Sequence, residues 1–160
     1  MKLLSGGQSG VDRAVLDVAL VRHIDYGGWC PKGGWAEDFP APPGVLAKYP
    51  HLKETPLADP AQRTEWNVRD ADACMIIVDT GGIDASEGTA LGGEIAHRYR
   101  KPLIVVNLLR PDAREPALLW LQIQRAKFGG GLILAIGGPR ESEAPGIYVR
   151  AKAFIGELFD

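Results

Sequence analysis

Apolar residues along this chain form short runs that alternate with longer repeats at helical spacing. Leu3 and Leu4 open a short strand over residues 2–5. From Gly10 to Arg22, Val11, Ala14, Val15, Val18 and Ala19 cover most sides of a helix, which predicts that it is well buried. Residues 26–30 read as a second strand, and residues 64–70 as a short helix with Thr64 as its N-cap. Ala73 to Val78 is an unbroken apolar run, the mark of a central strand covered on both faces. Residues 87–99 read as a helix that Lys101-Pro102 ends, and residues 103–106 as the next buried strand. Pro116 suits the first turn of a helix that reaches about Ala126. Residues 132–136 form another apolar strand, and Ile147, Ala151, Phe154, Ile155 and Leu158 share one face of a last helix.

Strands alternating with helices predict a mainly parallel sheet joined by right-handed crossovers. The expected fold is α/β, a three-layer Rossmann-like domain over residues 1–160. Its ligands bind outside the carboxyl ends of the strands. The 20 glycines and 12 prolines cluster at Gly27-Gly28, Gly33-Gly34, Pro40 to Gly44, Gly81-Gly82, Gly129 to Gly131 and Gly137 to Pro139. Such clusters mark turns and close backbone approaches. Residues 31–62 are too long for a plain connector and are expected to form a functional loop or lid.

A formal net charge of -2 argues against a dedicated nucleic-acid binder, yet a local basic pocket can still hold a small anion. No apolar run approaches the roughly 18 residues of a membrane span. The opening MKLLSGG has no apolar stretch or cleavage site of a signal peptide, and Cys30 and Cys74 make no disulfide framework, so a cytoplasmic protein is expected. His23, His51 and His97 show no zinc-type spacing, and a metal role for Cys30 is the minor reading beside an inert buried thiol.

Four strand-to-helix loops carry the candidate chemistry. Gly6, Gly7, Gln8, Ser9 and Gly10 precede the first helix, where bare N–H groups and the helix dipole suit an anion. A tight turn that needs glycine explains the same residues. Ser9 and Asp12 have capping-box-like spacing. Ser86, Gly88 and Thr89 repeat the arrangement after the most buried strand, and a plain capped helix is the alternative there. Arg140 follows the last strand and offers a planar fork for phosphate, or is simply a solvated surface side chain. Lys32 follows Trp29-Cys30-Pro31, and Arg63, Thr64 and Asn67 begin the next helix; Trp29 and Trp35 could stack on a flat heterocycle or pack in the core.

GGQSGVDR, GGWCPKGG with AED following, ETP with RTEWNV, DTGG with SEGTALGGE, and GGPRESEAPGIY occur in this order over nearly the whole chain. In this the chain resembles the molybdenum carrier family, related to the molybdenum cofactor carrier proteins of algae and bacteria. Those belong to a wider Rossmann-like group that includes lysine-decarboxylase-like phosphoribohydrolases. The resemblance implies a homo-oligomer, dimer or tetramer, that carries molybdenum cofactor in a pocket of positive potential and passes it to molybdoenzymes. The Gly6–Gly10 loop with Ser86, Gly88 and Thr89 would then cradle anionic oxygens, and Arg13, Lys32, Arg63 and Arg140 would supply positive charge. Asn67 and Trp29 would meet the pterin. The related hydrolases carry a glutamate three residues after the threonine of their Gly-Thr motif, and here that position is Gly92. Glu94 falls about 200° further round the helix axis. A non-catalytic carrier is therefore the first expectation, with a nucleotide-processing hydrolase or a nucleotide-sensing module as alternatives.

Overall fold

The computed structural model describes residues 1–160. Seven strands and five α-helices follow one another as β1 (Lys2–Leu4), α1 (Val11–Val21), β2 (Asp25–Gly27), β3 (Trp29–Cys30), β4 (Lys53–Glu54), α2 (Pro60–Asp70), β5 (Ala73–Val78), α3 (Glu87–Arg98), β6 (Leu103–Asn107), α4 (Arg114–Phe128), β7 (Ile133–Gly137) and α5 (Ile147–Leu158). Five of the strands form one sheet in the order β2-β1-β7-β5-β6, with every pair parallel. The Rossmann-like α/β expectation is met.

Crossover handedness decides the layers. The connections running toward the β6 edge carry α2 and α3, which pack together on one face. Those running the other way carry α1 and α4, which pack with α5 on the opposite face. Counted from β7, the strand order is the 3-2-1-4-5 of a doubly wound sheet. The last strand and its helix thus occupy the place that the first βα unit holds in that fold. The direction of winding reverses between β7 and β5.

The two faces are filled unequally. The α1/α4/α5 face holds a core of 27 buried residues, among them Leu16, Met75, Ile77, Leu121, Leu134 and Ile155. The α2/α3 face has only seven: Leu4, Val68, Ala71, Cys74, Ile95, Ala96 and Ala135. A cavity occupies the remaining room on that side.

Two expectations are corrected. Residues 26–30 are not one strand: Gly28 turns the chain at φ 119, β2 stays in the main sheet, and β3 pairs with β4 in a separate parallel ribbon. The second helix begins at Pro60, and Asp59 caps it by accepting the Ala61 N–H at 2.9 Å. Thr64 lies inside that helix and donates its hydroxyl to the Pro60 carbonyl at 3.1 Å. The Asp-Pro pair was the cap signal, with proline preset for the first helical position. The segment 31–62 is a packed element: Val45, Tyr49 and Leu52 enter the large core, and the Tyr49 hydroxyl donates to Asp17 on α1 at 2.6 Å. Each such buried side chain contributes about 1.5–3 kcal/mol, which holds the segment down along its length.

Candidate functional site

The cavity, about 390 Å³, lies between α2, α3 and the carboxyl ends of β1, β7 and β5. This is the switch point of the sheet, where open α/β proteins take their ligands. Leu4, Cys74, Ile76 and Ala135 give it an apolar floor.

Three buried polar groups on its wall have no hydrogen-bond partner: Gln8 Nε2, Arg63 Nε and Thr89 Oγ1. The Gln8 amide cannot be turned round, because its Oε1 accepts the N–H groups of Ser9 at 3.0 Å and Glu37 at 2.9 Å. Its NH2 is therefore the end left for another acceptor. Arg63 comes from α2 and donates Nη1 to Asp12 Oδ2 at 2.9 Å. A buried donor without a partner costs about 1–3 kcal/mol. Folded proteins tolerate few of them, so three on one wall match a ligand rich in acceptor oxygens.

Helix α3 adds backbone. Ser86 caps it by accepting the Thr89 N–H at 3.3 Å, and the N–H groups of Glu87 and Gly88 have no acceptor within the helix. A Cβ on Gly88 would meet only Ser86 Oγ at 3.9 Å, and one on Gly92 only Thr64 Cγ2 at 3.7 Å. By contrast, Gly93 backs onto Ile83 at 3.0 Å and is small for packing. Gly88 and Gly92 both line the cavity and are required neither by φ nor by packing. Each weakens the helix by about 1 kcal/mol relative to alanine.

The charges are mixed. Arg63 and Arg140 face carboxylates from Asp12, Asp59, Glu87 and Glu143. Burial raises the Asp12 carboxyl above its ordinary value, against the lowering by Arg63 and the Gln8 N–H. Arg140 pairs with Glu143 at 3.2 Å and approaches Glu37 at 3.9 Å. Glu37 ties three loops together through the Ser9 hydroxyl and through the N–H and hydroxyl of Ser142. Burial pushes the Glu37 carboxyl up, but the bonds from Ser142 and Ser9 outweigh it and hold it below its ordinary value.

Of the residues singled out in the sequence, Gly6, Gln8, Arg63, Thr64, Asn67, Ser86, Gly88, Thr89 and Arg140 line this cavity. Gly6 is there because a Cβ would overlap Nη1 of Arg63. Gly7, Ser9, Gly10, Arg13 and Lys32 lie off it. Arg13 grips Asp38 through both nitrogens, at 2.7 and 2.9 Å, and sits over the Phe39 ring. Lys32 is exposed. Ser9 bonds Glu37 and the Glu141 N–H, so no capping box forms on α1. Asn67 spends its amide on both backbone groups of Trp29, at 2.8 and 2.9 Å, and the Trp29 indole donates to Asp70 and packs edge-on against Trp66. Cys30 is buried, with its thiol toward the Lys53 carbonyl at 3.5 Å.

The sequence reading gave Asp12 a cap rather than a binding role and gave Glu37 no role; Asp12 lines the cavity, while Glu37 lies off it and ties together the loops beside it. Asp12 had a signal in its place on the first turn after the glycine loop. Glu37 had none, because its partners lie far away in sequence. Gly7 has φ +75 and faces Val45 and Leu52, where a Cβ would stand 3.1 Å from each. Gly7→Val is therefore expected to lower the unfolding temperature sharply, read by circular dichroism. A stable variant that has lost only ligand binding would refute this structural assignment.

Fold and cavity together define a Rossmann-like α/β protein with a cavity at the switch point of its sheet. The chain belongs to the circularly permutated YpsA SLOG family, whose model matches residues 3–159. The position of β7 at the head of the strand order is in keeping with that permutation. Among solved structures it is similar to a crystal structure from Syntrophus aciditrophicus named "Putative molybdenum carrier protein", at 37% identity and TM-score 0.81, over 99% of this chain and 93% of that one. No curated protein matches significantly.

Proposed function

We propose that this protein binds molybdenum cofactor, a pterin phosphate, as a carried ligand, and holds it without chemical change. The observation that carries the reading is the trio of buried, unpartnered groups Gln8 Nε2, Arg63 Nε and Thr89 Oγ1 on one cavity wall. Oxo and phosphate oxygens supply acceptors for them, and the first N–H groups of α3 suit the same charge. The apolar floor accepts a flat ring, and the volume falls within the range of small-molecule sites. The name of the Syntrophus aciditrophicus protein supports the choice of ligand. Glu94 is exposed and off the cavity, while Gly92 lines it, so the position of the hydrolase glutamate carries no carboxylate. A nucleotide is the second reading, favoured by the switch-point location.

The deciding experiment is anaerobic purification from a host that makes the cofactor, followed by denaturation, mass spectrometry of the released molecules and metal analysis. Stoichiometric pterin with molybdenum is the expected result, and a nucleotide in its place would overturn the cargo assignment. Gly88→Ala supplies a second test with opposite signs. It is expected to stabilise the fold by about 0.5–1 kcal/mol while weakening ligand binding at least tenfold, because the new methyl enters the cavity. Unchanged affinity in calorimetry would show that the ligand does not approach α3 there.

The carrier is further proposed to act in the cytoplasm as a homo-oligomer that delivers to molybdoenzymes. The exposed Leu119 and Ile123 on α4 offer an apolar face for a second copy. Ile123→Asp is expected to shift the mass seen by light scattering to that of a monomer. A wild type that is already monomeric would refute the assembly. No helix is long and apolar enough to cross a membrane.

A further inference from the structure

We infer that Asp12 is itself a ligand group of the cavity and meets an oxygen-rich anion as the neutral carboxylic acid, so that binding takes up one proton. This rests on the anion-cavity reading above. Asp12 stands on the first turn of α1 and is 6% exposed, in the cavity wall. Its Oδ2 accepts from Arg63 Nη1 at 2.9 Å and from the Gln8 N–H at 3.3 Å. Its Oδ1 accepts no hydrogen bond and lies 3.5 Å from where a Cβ on Gly137 would stand, at the carboxyl end of β7.

The unpartnered groups on residues of the same cavity lining can all donate: Gln8 Nε2, Arg63 Nε and Thr89 Oγ1. A ligand that satisfies them brings its own lone pairs and negative charge into the cavity that Asp12 lines. An ionised Asp12 would set lone pair against lone pair and charge against like charge. A proton on Oδ1 turns that atom into a donor, while Oδ2 keeps both of its present bonds.

The count of charges points the same way. Arg63 from α2 and Arg13 from its own helix act on Asp12, and Asp59 at the start of α2, Glu87 from α3, Arg140 and Glu143 after β7 and the Cys74 thiol on β5 share the cavity lining with it. Arg13 is committed to Asp38, and Arg140 to Glu143. Arg63 is committed to Asp12 itself. No cation is spare for an incoming dianion until Asp12 is neutral, and its neutralisation turns the charge of Arg63 over to the ligand. Burial already favours that protonated form.

The probe is sodium sulfate, which stays a dianion at every pH at which the protein is folded, so any proton taken up belongs to the protein. Calorimetric titration over a series of pH values, in two buffers of different ionisation heat at each, is expected to show uptake that rises to about one proton per sulfate above the Asp12 pKa. Affinity is expected to fall about tenfold per pH unit above the Asp12 pKa. Asp12→Asn carries an N–H donor where the acid proton would sit and keeps an oxygen for Arg63 and Gln8. It is expected to bind sulfate at alkaline pH as tightly as the wild type does at acid pH, with no uptake. Equal heats in the two buffers at every pH, or uptake that persists in Asp12→Asn, would overturn the role of Asp12 and leave the anion cavity standing. Should Asp12→Asn fail to fold, the two-buffer comparison on the wild type still decides. No sulfate binding at any pH would instead overturn the anion cavity, and the inference with it.

Discussion

Arg63→Met is expected to abolish ligand binding and to destabilise the fold by about 3 kcal/mol at neutral pH, the lower end of what breaking a buried ion pair costs. The pair is buried on both sides, with side-chain exposures of 11% and 9%, so solvent screens little of the loss. The pH dependence identifies the cause. Asp12 has a folded pKa above its unfolded value, because burial outweighs Arg63 and the Gln8 N–H. A carboxyl raised in this way contributes stability that is fully present below the unfolded pKa and is lost as pH rises through the folded one. Removing Arg63 raises that pKa further. Urea unfolding should therefore show a small deficit for Arg63→Met at pH about 4, near the unfolded pKa, and a larger one at a pH above the folded value. An equal deficit at both would mean that lost packing, rather than an unpaired charge, is responsible.

Gly10→Ala is expected to destabilise by more than about 3 kcal/mol. Gly10 holds φ 75 and ψ -130, a region open to glycine. Its Cβ would overlap the Pro139 carbonyl, the acceptor of the first N–H of α1 at 3.2 Å, and would stand 2.8 Å from the Arg140 backbone. The loop before α1 and the loop after β7 are thus pressed backbone to backbone. Gly129→Ala is the control: φ is +68 there, but nothing lies within 4 Å. Its ψ of -159 puts it in a region essentially reserved for glycine, so it should lose only the roughly 1–3 kcal/mol of that backbone strain. Thermal unfolding of the two variants side by side separates overlap from strain, and similar losses would refute the contact.

Much of the fold was legible in the chain because burial leaves a periodic trace. The unbroken run at Ala73–Val78 announced the central strand, and the repeat from Ile147 to Leu158 announced α5. The errors fell where a local device overrode the pattern. Gly28 breaks an apolar run that otherwise reads as one strand, and Asp59-Pro60 starts a helix ahead of its apolar face. Segment 31–62 read as a functional loop or lid; its Val45, Tyr49 and Leu52 are too widely spaced to show a period, yet they meet one core.

For the site, the sequence alone pointed to glycine-rich turns at strand ends, polar residues beside them, and a parallel sheet whose carboxyl edge would gather them. Those features are local, set by backbone freedom, helix caps and hydrophobic spacing. Which of the residues share one cavity was decided only in three dimensions. Arg13 looked like a cation for the site until Asp38 took it on the far side of the loop. Asp12 looked like part of a cap until Arg63, 51 residues away, met it on the cavity wall. A side chain's charge is written in the sequence, but its free charge depends on the partner that folding brings to it. That partner comes from topology, here from the crossovers that set α2 and α3 over the ends of β1, β7 and β5.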